Sequence, residues 1–382
     1  MKSRAFWGLA VLSLAASLLA LTPSALRASD HADPMNLTDP YANITGLFIF
    51  PKGDQLILVF NVRRALTNPK PYKLSDYRYV VNFDLTTPVS FDNVEDRMRY
   101  GGTVITPEKL HADASITILL NDDATLKEIT PRGLKAEITK VFTGVRDDPF
   151  IFPRFFKKNV ISMVMSIPMA AFPGQQDFIL WGNTYKGDKQ FDHVGRSIRS
   201  QLPRFEALNT LQPKDHVAEL MKLQKKWNDI SDWLKSFKEW WTAQIAALIE
   251  TNFLIRKYDL KPDVMYYTSR FPPGFPNGRL LPDDVSAQVC TTGDCILQEL
   301  SFIEGGWPRA VVNDKPFLDD WPFLAEQFPD SPEAAPPSKS IYPYIVAAVL
   351  LVAFISWAVI EIIRRLILLL LAKWRRRPAV AT

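Results

Sequence analysis

The sequence has few of the residues from which enzyme active sites are usually built. Its 382 residues include only two cysteines and four histidines. Zinc and non-haem iron sites usually take two or three histidines, and no two of these four are spaced at i,i+2 or i,i+4. A GxSxG nucleophile elbow, a P-loop and a Rossmann glycine fingerprint are all missing from the sequence. The sequence therefore contains no recognisable catalytic set, which favours a binding role over a catalytic one.

The two cysteines, Cys290 and Cys295, enclose the turn sequence Thr-Thr-Gly-Asp. A metal pair would need further Cys or His residues close by in the sequence, and none is there. In an oxidising compartment, two cysteines that flank a hairpin turn typically form a disulfide. We therefore predict a disulfide between Cys290 and Cys295.

The first 28 residues have the pattern of a secretory signal peptide. Lys2 and Arg4 precede the apolar run Ala5–Leu21, and small residues follow around Ser24–Ala28. This is the order of charged region, apolar region and cleavage zone in such peptides. We predict cleavage after Ala28, with an uncleaved anchor as the alternative.

A second apolar run, Tyr342–Ile363, is predicted to be a transmembrane helix. It has about 22 residues, enough to cross a ~30 Å hydrocarbon core, and a buried soluble helix is the alternative. Residues 364–382 form a basic tail, which the positive-inside rule places in the cytoplasm. The bases are Arg364, Arg365, Lys373, Arg375, Arg376 and Arg377. With a Pro-rich linker at 328–341, the pattern predicts a single-pass protein of the bacterial cytoplasmic membrane with a periplasmic N-terminal domain.

The positive charge of the chain lies at its two ends. The signal segment carries three bases, and the segment from Tyr342 onward carries six bases and one acid. These ends account for +8 in a chain of net charge +4, so the ectodomain between them has a net charge of −4. A mildly acidic ectodomain argues against nucleic-acid binding.

The ectodomain is predicted to be mainly β. Apolar runs rich in β-branched and aromatic residues recur at short intervals over residues 29–212, each bounded by Gly, Pro, Asn or Asp. The runs are Gly46–Phe50, Gln55–Val62, Arg78–Phe83, Ser115–Leu120, Ala136–Phe142, Val160–Ile167 and Asp177–Trp181. Seven strands with little helix between them favour an antiparallel β-sandwich over a parallel α/β sheet. Met163, Met165 and Met169 stand at alternate spacing and are predicted to fill the core rather than to ligate a haem or copper.

Residues 213–258 are predicted to form a long amphipathic helical insertion. Apolar residues recur there at steps of three and four. The helix either packs on the sandwich, folds back as two helices, or serves as a docking surface for a protein partner or the membrane. The candidate interface residues are Trp227, Trp233, Trp240 and Trp241. Residues 259–327, which include short strands around the cysteines, complete the ectodomain.

Several motifs taken together resemble the domain-of-unknown-function 4331 family of secreted bacterial proteins. They are Ser29–His31, Thr38–Tyr41, Gly144–Phe150, Asp192–Arg196, Pro262–Val264, Gly274–Arg279 and Asp283–Val285. The sequence departs from the family at His193 and Val194, where Arg-Met is expected, and in its C-terminal apolar run. The resemblance implies a secreted β-rich protein and no particular reaction.

Charged residues of these motifs stand beside predicted strands. They are Arg146, Asp147, Asp148, Asp192, His193, Arg196, Arg279, Asp283 and Asp284. Because buried charges must be paired and hydrogen-bonded, we predict a charge-paired network that fixes the strand ends. A calcium site built from the five aspartates and an enzyme built on the Asp, His and Arg side chains are the alternatives.

His31 suggests a separate metal hypothesis. After cleavage at Ala28 it would be the third residue of a free N-terminus. A free amine, two amide nitrogens and an imidazole give the square-planar nitrogen set that Cu(II) prefers. A structural cluster of Asp30, His31 and Asp33 is the alternative. The sequence as a whole predicts a membrane-anchored, non-catalytic binding or accessory subunit with a protein partner in the membrane or periplasm.

Overall fold

The computed structural model describes most of the ectodomain and the C-terminal helix. The described residues are 40–66, 71–149, 157–172, 174, 177–196, 203–238, 260–285, 312–329 and 342–375. The chain forms two compact units. The described residues 40–329 belong to one unit and the described residues 342–375 to the other.

The described residues form twelve β-strands and three α-helices. The strands are β1 Ile44–Lys52, β2 Gln55–Leu66, β3 Arg78–Asp84, β4 Val89–Ser90, β5 Thr103–Val104, β6 Ala114–Leu120, β7 Leu126–Arg132, β8 Lys140–Asp147, β9 Asn159–Pro168, β10 Asp177–Lys186, β11 Lys189–Val194 and β12 Met265–Thr268. The helices are α1 Val94–Tyr100, α2 Pro213–Lys238 and α3 Tyr342–Arg375. The ectodomain is therefore mainly β, as predicted.

The strands form two antiparallel sheets and a small two-stranded sheet of β4 and β5. The four-stranded sheet has the order β1-β2-β9-β8, and the six-stranded sheet has the order β11-β10-β3-β6-β7 with β12 also paired to β10. β1 and β2 join through a tight turn, since Lys52 pairs with Gln55 across it. This architecture is consistent with the predicted β-sandwich.

One apolar core joins the two sheets. Leu58, Phe60 and Met163 of the four-stranded sheet pack in the same cluster as Val81 and Ile116 of the six-stranded sheet. Because side chains alternate across a strand, β6 shows strict alternation of buried and half-buried residues.

The four-stranded sheet is also covered on its outer face. Phe48, Val59 and Val164 point to that side and pack against Leu281 and Leu324 from the C-terminal part of the ectodomain. Strands buried on both faces read as continuous apolar runs, which explains why β9 is buried along almost its whole length. Met163 and Met165 lie in the core as predicted. The prediction is wrong for Met169, which is 37% exposed because it begins the 3-10 turn after β9 instead of continuing the strand.

The structure corrects one strand boundary and adds strands that the sequence did not predict, β7 and β11 among them. The strand expected at Ala136–Phe142 runs instead over Lys140–Asp147, so Arg146 and Asp147 belong to the strand rather than following it. β7 and β11 were not expected, because their sequences LKEITPR and KQFDHV are rich in charge. Strand pairing depends on the neighbouring strand more than on local propensity, and β11 is set by its pairing with β10.

The amphipathic segment forms a helix over Pro213–Lys238, while residues 239–258 lie outside the described part. Pro213 stands at its first position, where a missing N–H is tolerated. Leu220 packs on Phe205 and Leu208 of the preceding 3-10 segment, so the start of the helix docks on the ectodomain. Trp227 and Trp233 lie within the helix, whereas Trp240 and Trp241 lie outside the described residues, as do Cys290 and Cys295.

The apolar C-terminal run lies within α3, which continues to Arg375, beyond the predicted end at Ile363. Large apolar side chains between Leu350 and Leu369 are exposed on it. Glu361 pairs with Arg364 and Arg365 one turn further on, at 2.8 and 3.2 Å. In the described part of the chain, no helix contains a stretch long and apolar enough to cross a membrane.

Candidate functional site

The predicted polar residues are placed at three parts of the fold. Arg146, Asp147 and Asp148 lie at the end of β8, and Asp192, His193 and Arg196 lie at the end of β11. Arg279, Asp283 and Asp284 lie in the loop after β12. Each group has its own set of hydrogen bonds, described in turn below.

At the end of β11, Asp192 ties the two sheets together. Its carboxylate accepts the N–H of Ile44 at 2.8 Å, which belongs to β1 of the other sheet. It also accepts the N–H of His193 at 2.9 Å. The side chain is fully buried, so both bonds form away from water and are correspondingly strong.

His193 is the middle of a buried chain of hydrogen bonds. The Asn82 amide donates to the Asn183 oxygen at 2.9 Å, and the Asn183 amide lies 3.1 Å from His193 Nδ1. His193 Nε2 lies 2.7 Å from the carbonyl oxygen of Asp263. The same Nε2 also lies 3.4 Å from Asp263 Oδ2, so the His193 ring faces both the carbonyl and the carboxylate of Asp263.

Asp263 connects this chain to α2. Its carboxylate accepts the N–H of Gly195 at 3.2 Å and that of Arg196 at 2.9 Å. Its own N–H donates to His216 Nδ1 at 3.1 Å. The rings of His193 and His216 meet edge to face at 4.8 Å. Asp263 is therefore bound through its carboxylate, carbonyl and N–H, and it fixes the end of β11 against the start of α2.

The sequence analysis quoted Asp263 only as part of a family motif and did not place it among the site residues. The sequence signal for Asp263 was a single acidic residue just before the apolar run Val264–Tyr267. Gly195 fits the same arrangement, because an added Cβ would lie 2.2 Å from the Asp263 carbonyl oxygen. The two motifs Asp192–Arg196 and Pro262–Val264 thus meet in space.

At the end of β8, Asp147 is only 1% exposed. Its Oδ2 accepts a hydrogen bond from Asn313 Nδ2 at 2.6 Å, and its N–H donates to the carbonyl of Ala325 at 3.3 Å. Burial, followed by the negative charge of Asp314, raises the pKa of Asp147 to about 8. Burial also raises the pKa of Asp314. A carboxyl group held in this way resists ionisation near neutral pH.

Arg146 and Arg279 both stack on phenylalanine rings of the four-stranded sheet. The Arg146 guanidinium lies 4.6 Å from the centre of the Phe142 ring, and that of Arg279 lies 4.1 Å from the centre of the Phe48 ring. Burial lowers the pKa of Arg146. Cation–π contacts of this kind stabilise a desolvated guanidinium.

In the loop after β12, Asp283 accepts the N–H groups of Phe275 and Leu280 at 2.8 and 2.7 Å. The Asn277 amide donates to the carbonyls of Thr268, Phe271 and Pro272, each at 3.0 Å. The loop is joined to β1 by Arg279, whose N–H donates to the Ile49 carbonyl at 3.0 Å. These side chains hold the loop in one conformation.

A buried polar pair on the outer face of the four-stranded sheet was not foreseen. Asn61 and Ser162 are paired across β2 and β9 and are flanked by Gly46 on β1 and Gly144 on β8. Within the described residues, the side-chain polar atoms of Asn61 and Ser162 have no hydrogen-bond partner.

Two metal sites were considered from the sequence, a calcium site of five aspartates and a copper site at His31. The part of the chain that the structure describes contains no group of three or more His, Cys, Asp or Glu side chains arranged to hold a metal ion. The five aspartates of the calcium alternative are instead divided among the ends of β8 and β11 and the loop after β12. His31 lies outside the described residues, so its copper site stays a prediction.

Comparisons with known proteins leave the family of the chain open. No family model and no curated protein matches the sequence. Among solved structures, one similar chain is the collagen binding subdomain of the Enterococcus faecalis surface protein ACE, with 13% sequence identity and a TM-score of 0.12. The match covers 38% of this chain and 90% of that chain. So low a score carries no argument about function.

Proposed function

We propose that this protein is a membrane-anchored, non-catalytic binding or accessory subunit of the domain-of-unknown-function 4331 family. The observation that carries the proposal is the use made of three aspartates that lie in the family motifs. Asp192, Asp263 and Asp283 each accept two backbone N–H groups. Carboxylates engaged in this way stabilise the connections between strands and are poorly suited to proton transfer or nucleophilic attack.

The family assignment is supported by contacts between its motifs. Motifs that lie far apart in the sequence, Asp192–Arg196 and Pro262–Val264, are joined by the Asp263 carboxylate. The motif Gly274–Arg279 is held by Asp283 of the next one. Residues that act together in one fold form a stronger signature than isolated matches.

Membrane anchoring is proposed from the apolar run Tyr342–Ile363. The side chains of α3 are described only from Val349 onward, so those of the first seven residues of this run are outside the described part. Exposed apolar residues lie on every side of the helix, as in the run Leu350, Leu351, Val352. Between Val349 and Ile360 the helix carries no charged side chain, and a stretch that is apolar all round is buried in protein or in lipid. We infer that a cleaved signal peptide directs the ectodomain to the periplasm and that the basic tail stays in the cytoplasm.

The proposed partner surface is the tryptophan-rich part of the amphipathic segment. Tryptophan is enriched among the residues that dominate binding energy at protein interfaces. The start of α2 is attached to the ectodomain through Leu220, so its later turns are the part offered to a partner. The anchor would confine such encounters to the plane of the membrane.

The proposal is tested by extracting the full chain from membranes in a mild detergent and measuring its mass by native electrophoresis. We expect the protein to remain in the membrane fraction after a salt wash and to migrate as a complex larger than a monomer. Trp227→Ala combined with Trp241→Ala should release the monomer, whereas Asp188→Ala, at an exposed turn, should not. Recovery of the wild-type chain only as a free monomer would contradict the proposal.

A further inference from the structure

Three side chains at the end of β8 form an oxygen-rich group that the sequence did not reveal. Asp147 is the last residue of β8, and Asn313 and Asp314 belong to the segment 312–329, which precedes the Pro-rich linker. The segment is joined to the sheet at several other points. Phe328 exchanges two hydrogen bonds with the Asn159 side chain, both at 2.8 Å.

In each of the three side chains one polar atom forms a hydrogen bond, and among the described residues the Oδ1 oxygen does not. Asn313 Nδ2 donates to Asp147 Oδ2 at 2.6 Å and to the Lys315 carbonyl at 3.0 Å. Asp314 Oδ2 accepts the Lys157 N–H at 2.5 Å. The Oδ1 atoms of Asp147, Asn313 and Asp314 are all buried, and none has a hydrogen-bond partner among the described residues.

Among the described residues, the neighbouring charged side chains do not supply hydrogen-bond donors to these three Oδ1 atoms. The carboxyl groups of Asp147 and Asp314 repel one another when both are ionised, and Asp148, which is buried, follows Asp147 directly. The ammonium group of Lys315 donates to the carbonyls of Glu326 and Gln327, at 2.8 and 3.1 Å. A single shared proton would join only two oxygens and would leave the third without a partner.

We propose that Asp147, Asn313 and Asp314 bind a calcium ion that fastens the segment 312–329 to the end of β8. Carboxylate and amide oxygens are the ligands that Ca²⁺ takes, usually six to eight of them with waters completing the shell. This set differs from the five aspartates considered from the sequence, because it combines two carboxylates with one amide. The ion would neutralise the carboxylates and use all three oxygens at once.

The test is a calcium titration of the full chain in detergent, after treatment with EDTA, followed by isothermal calorimetry and by thermal unfolding. We expect one Ca²⁺ per chain and a melting temperature that rises with Ca²⁺ concentration. Asp314→Asn should weaken the affinity roughly tenfold or more, because ligand charge sets calcium affinity. The matched control is Asp319→Asn, an exposed carboxyl in the same segment, which should bind as the wild type does.

Two outcomes would overturn the inference. One is the absence of calorimetric heat and of a melting shift in the wild-type chain at millimolar Ca²⁺. The other is an affinity that Asp314→Asn leaves unchanged, which would place any bound ion elsewhere. The circular dichroism spectrum of Asp314→Asn without calcium shows whether the variant is folded. If it is not, Asn313→Ala replaces it, with the same loss of affinity expected.

Discussion

Replacing Asp263 with alanine removes the carboxylate that holds the end of β11. The wild-type side chain is completely buried and accepts the N–H groups of Gly195 and Arg196. In the variant, both donors lose their acceptor. The backbone of residue 263 still offers its carbonyl to His193 and its N–H to His216, so the change removes only the carboxylate, including its 3.4 Å contact with His193 Nε2.

The expected cost follows from those two bonds. A hydrogen bond to a charged group contributes ~1.5–3 kcal/mol when it is removed from a buried donor. Asp263→Ala should therefore lower the free energy of unfolding by about 3–6 kcal/mol. Whole domains are stable by about 5–15 kcal/mol, so the variant should be close to the limit of folding. Asp263→Asn, which keeps one acceptor oxygen, should lose roughly half as much.

Urea unfolding of the full chain in detergent, followed by circular dichroism, measures these differences. Asp188→Ala is the control, because it removes an aspartate from the exposed turn between β10 and β11 and should stay within about 0.5 kcal/mol of the wild type. If Asp263→Ala were as stable as this control, the carboxylate would not be holding the backbone, and the structural role assigned to it would be wrong.

Three further predictions concern other parts of the ectodomain. The pKa of His111 is raised by a hydrogen bond to a backbone carbonyl and by nearby carboxylates, so its contribution to stability is present below pH ~6.5 and is lost as the pH rises through the folded pKa. Asp113→Asn, which removes the carboxylate 3.0 Å from Nε2, should lower that pKa in an NMR titration, and an unchanged value would contradict this. Gly195→Ala should destabilise the fold by at least ~2 kcal/mol in urea unfolding, because its Cβ would overlap backbone atoms; a wild-type midpoint would refute the close packing. Ser162→Ala should leave the free energy of unfolding unchanged or raise it by up to ~1 kcal/mol, because it removes a buried hydroxyl that has no partner among the described residues. Val164→Ala, on the same strand, should lower the free energy of unfolding by about 2 kcal/mol. If both variants lost the same amount in urea unfolding, the Ser162 hydroxyl would be hydrogen-bonded.

The strands with apolar alternation could be predicted from the sequence because their signal is local. The predicted runs Gly46–Phe50 and Gln55–Val62 appear in the structure as the hairpin of β1 and β2. β11 could not be predicted in the same way. Its charged residues form a strand only because β10 and β1 supply partners for its backbone and for Asp192.

In the candidate site, too, the residue types could be predicted from the sequence, but their partners could not. The concentration of charge at Asp147 and Asp192 was visible in the sequence, and both residues are buried and hydrogen-bonded. Their partners lie 166 and 148 residues away in the chain. Such pairings depend on the topology of the sheets, which the pattern of a single sequence does not define.

The exposed edge of the six-stranded sheet has a consequence for how copies of this protein meet. Among the described strands, β7 lies at that edge, and its sequence LKEITPR places Lys127, Glu128 and Arg132 there. Pro131, paired with Ile116 on the inner side, cannot donate an N–H to a further strand. Charge and proline at an edge discourage strand-to-strand aggregation. Two copies of this protein that meet at this edge are therefore disfavoured from extending the sheet from one copy into the other.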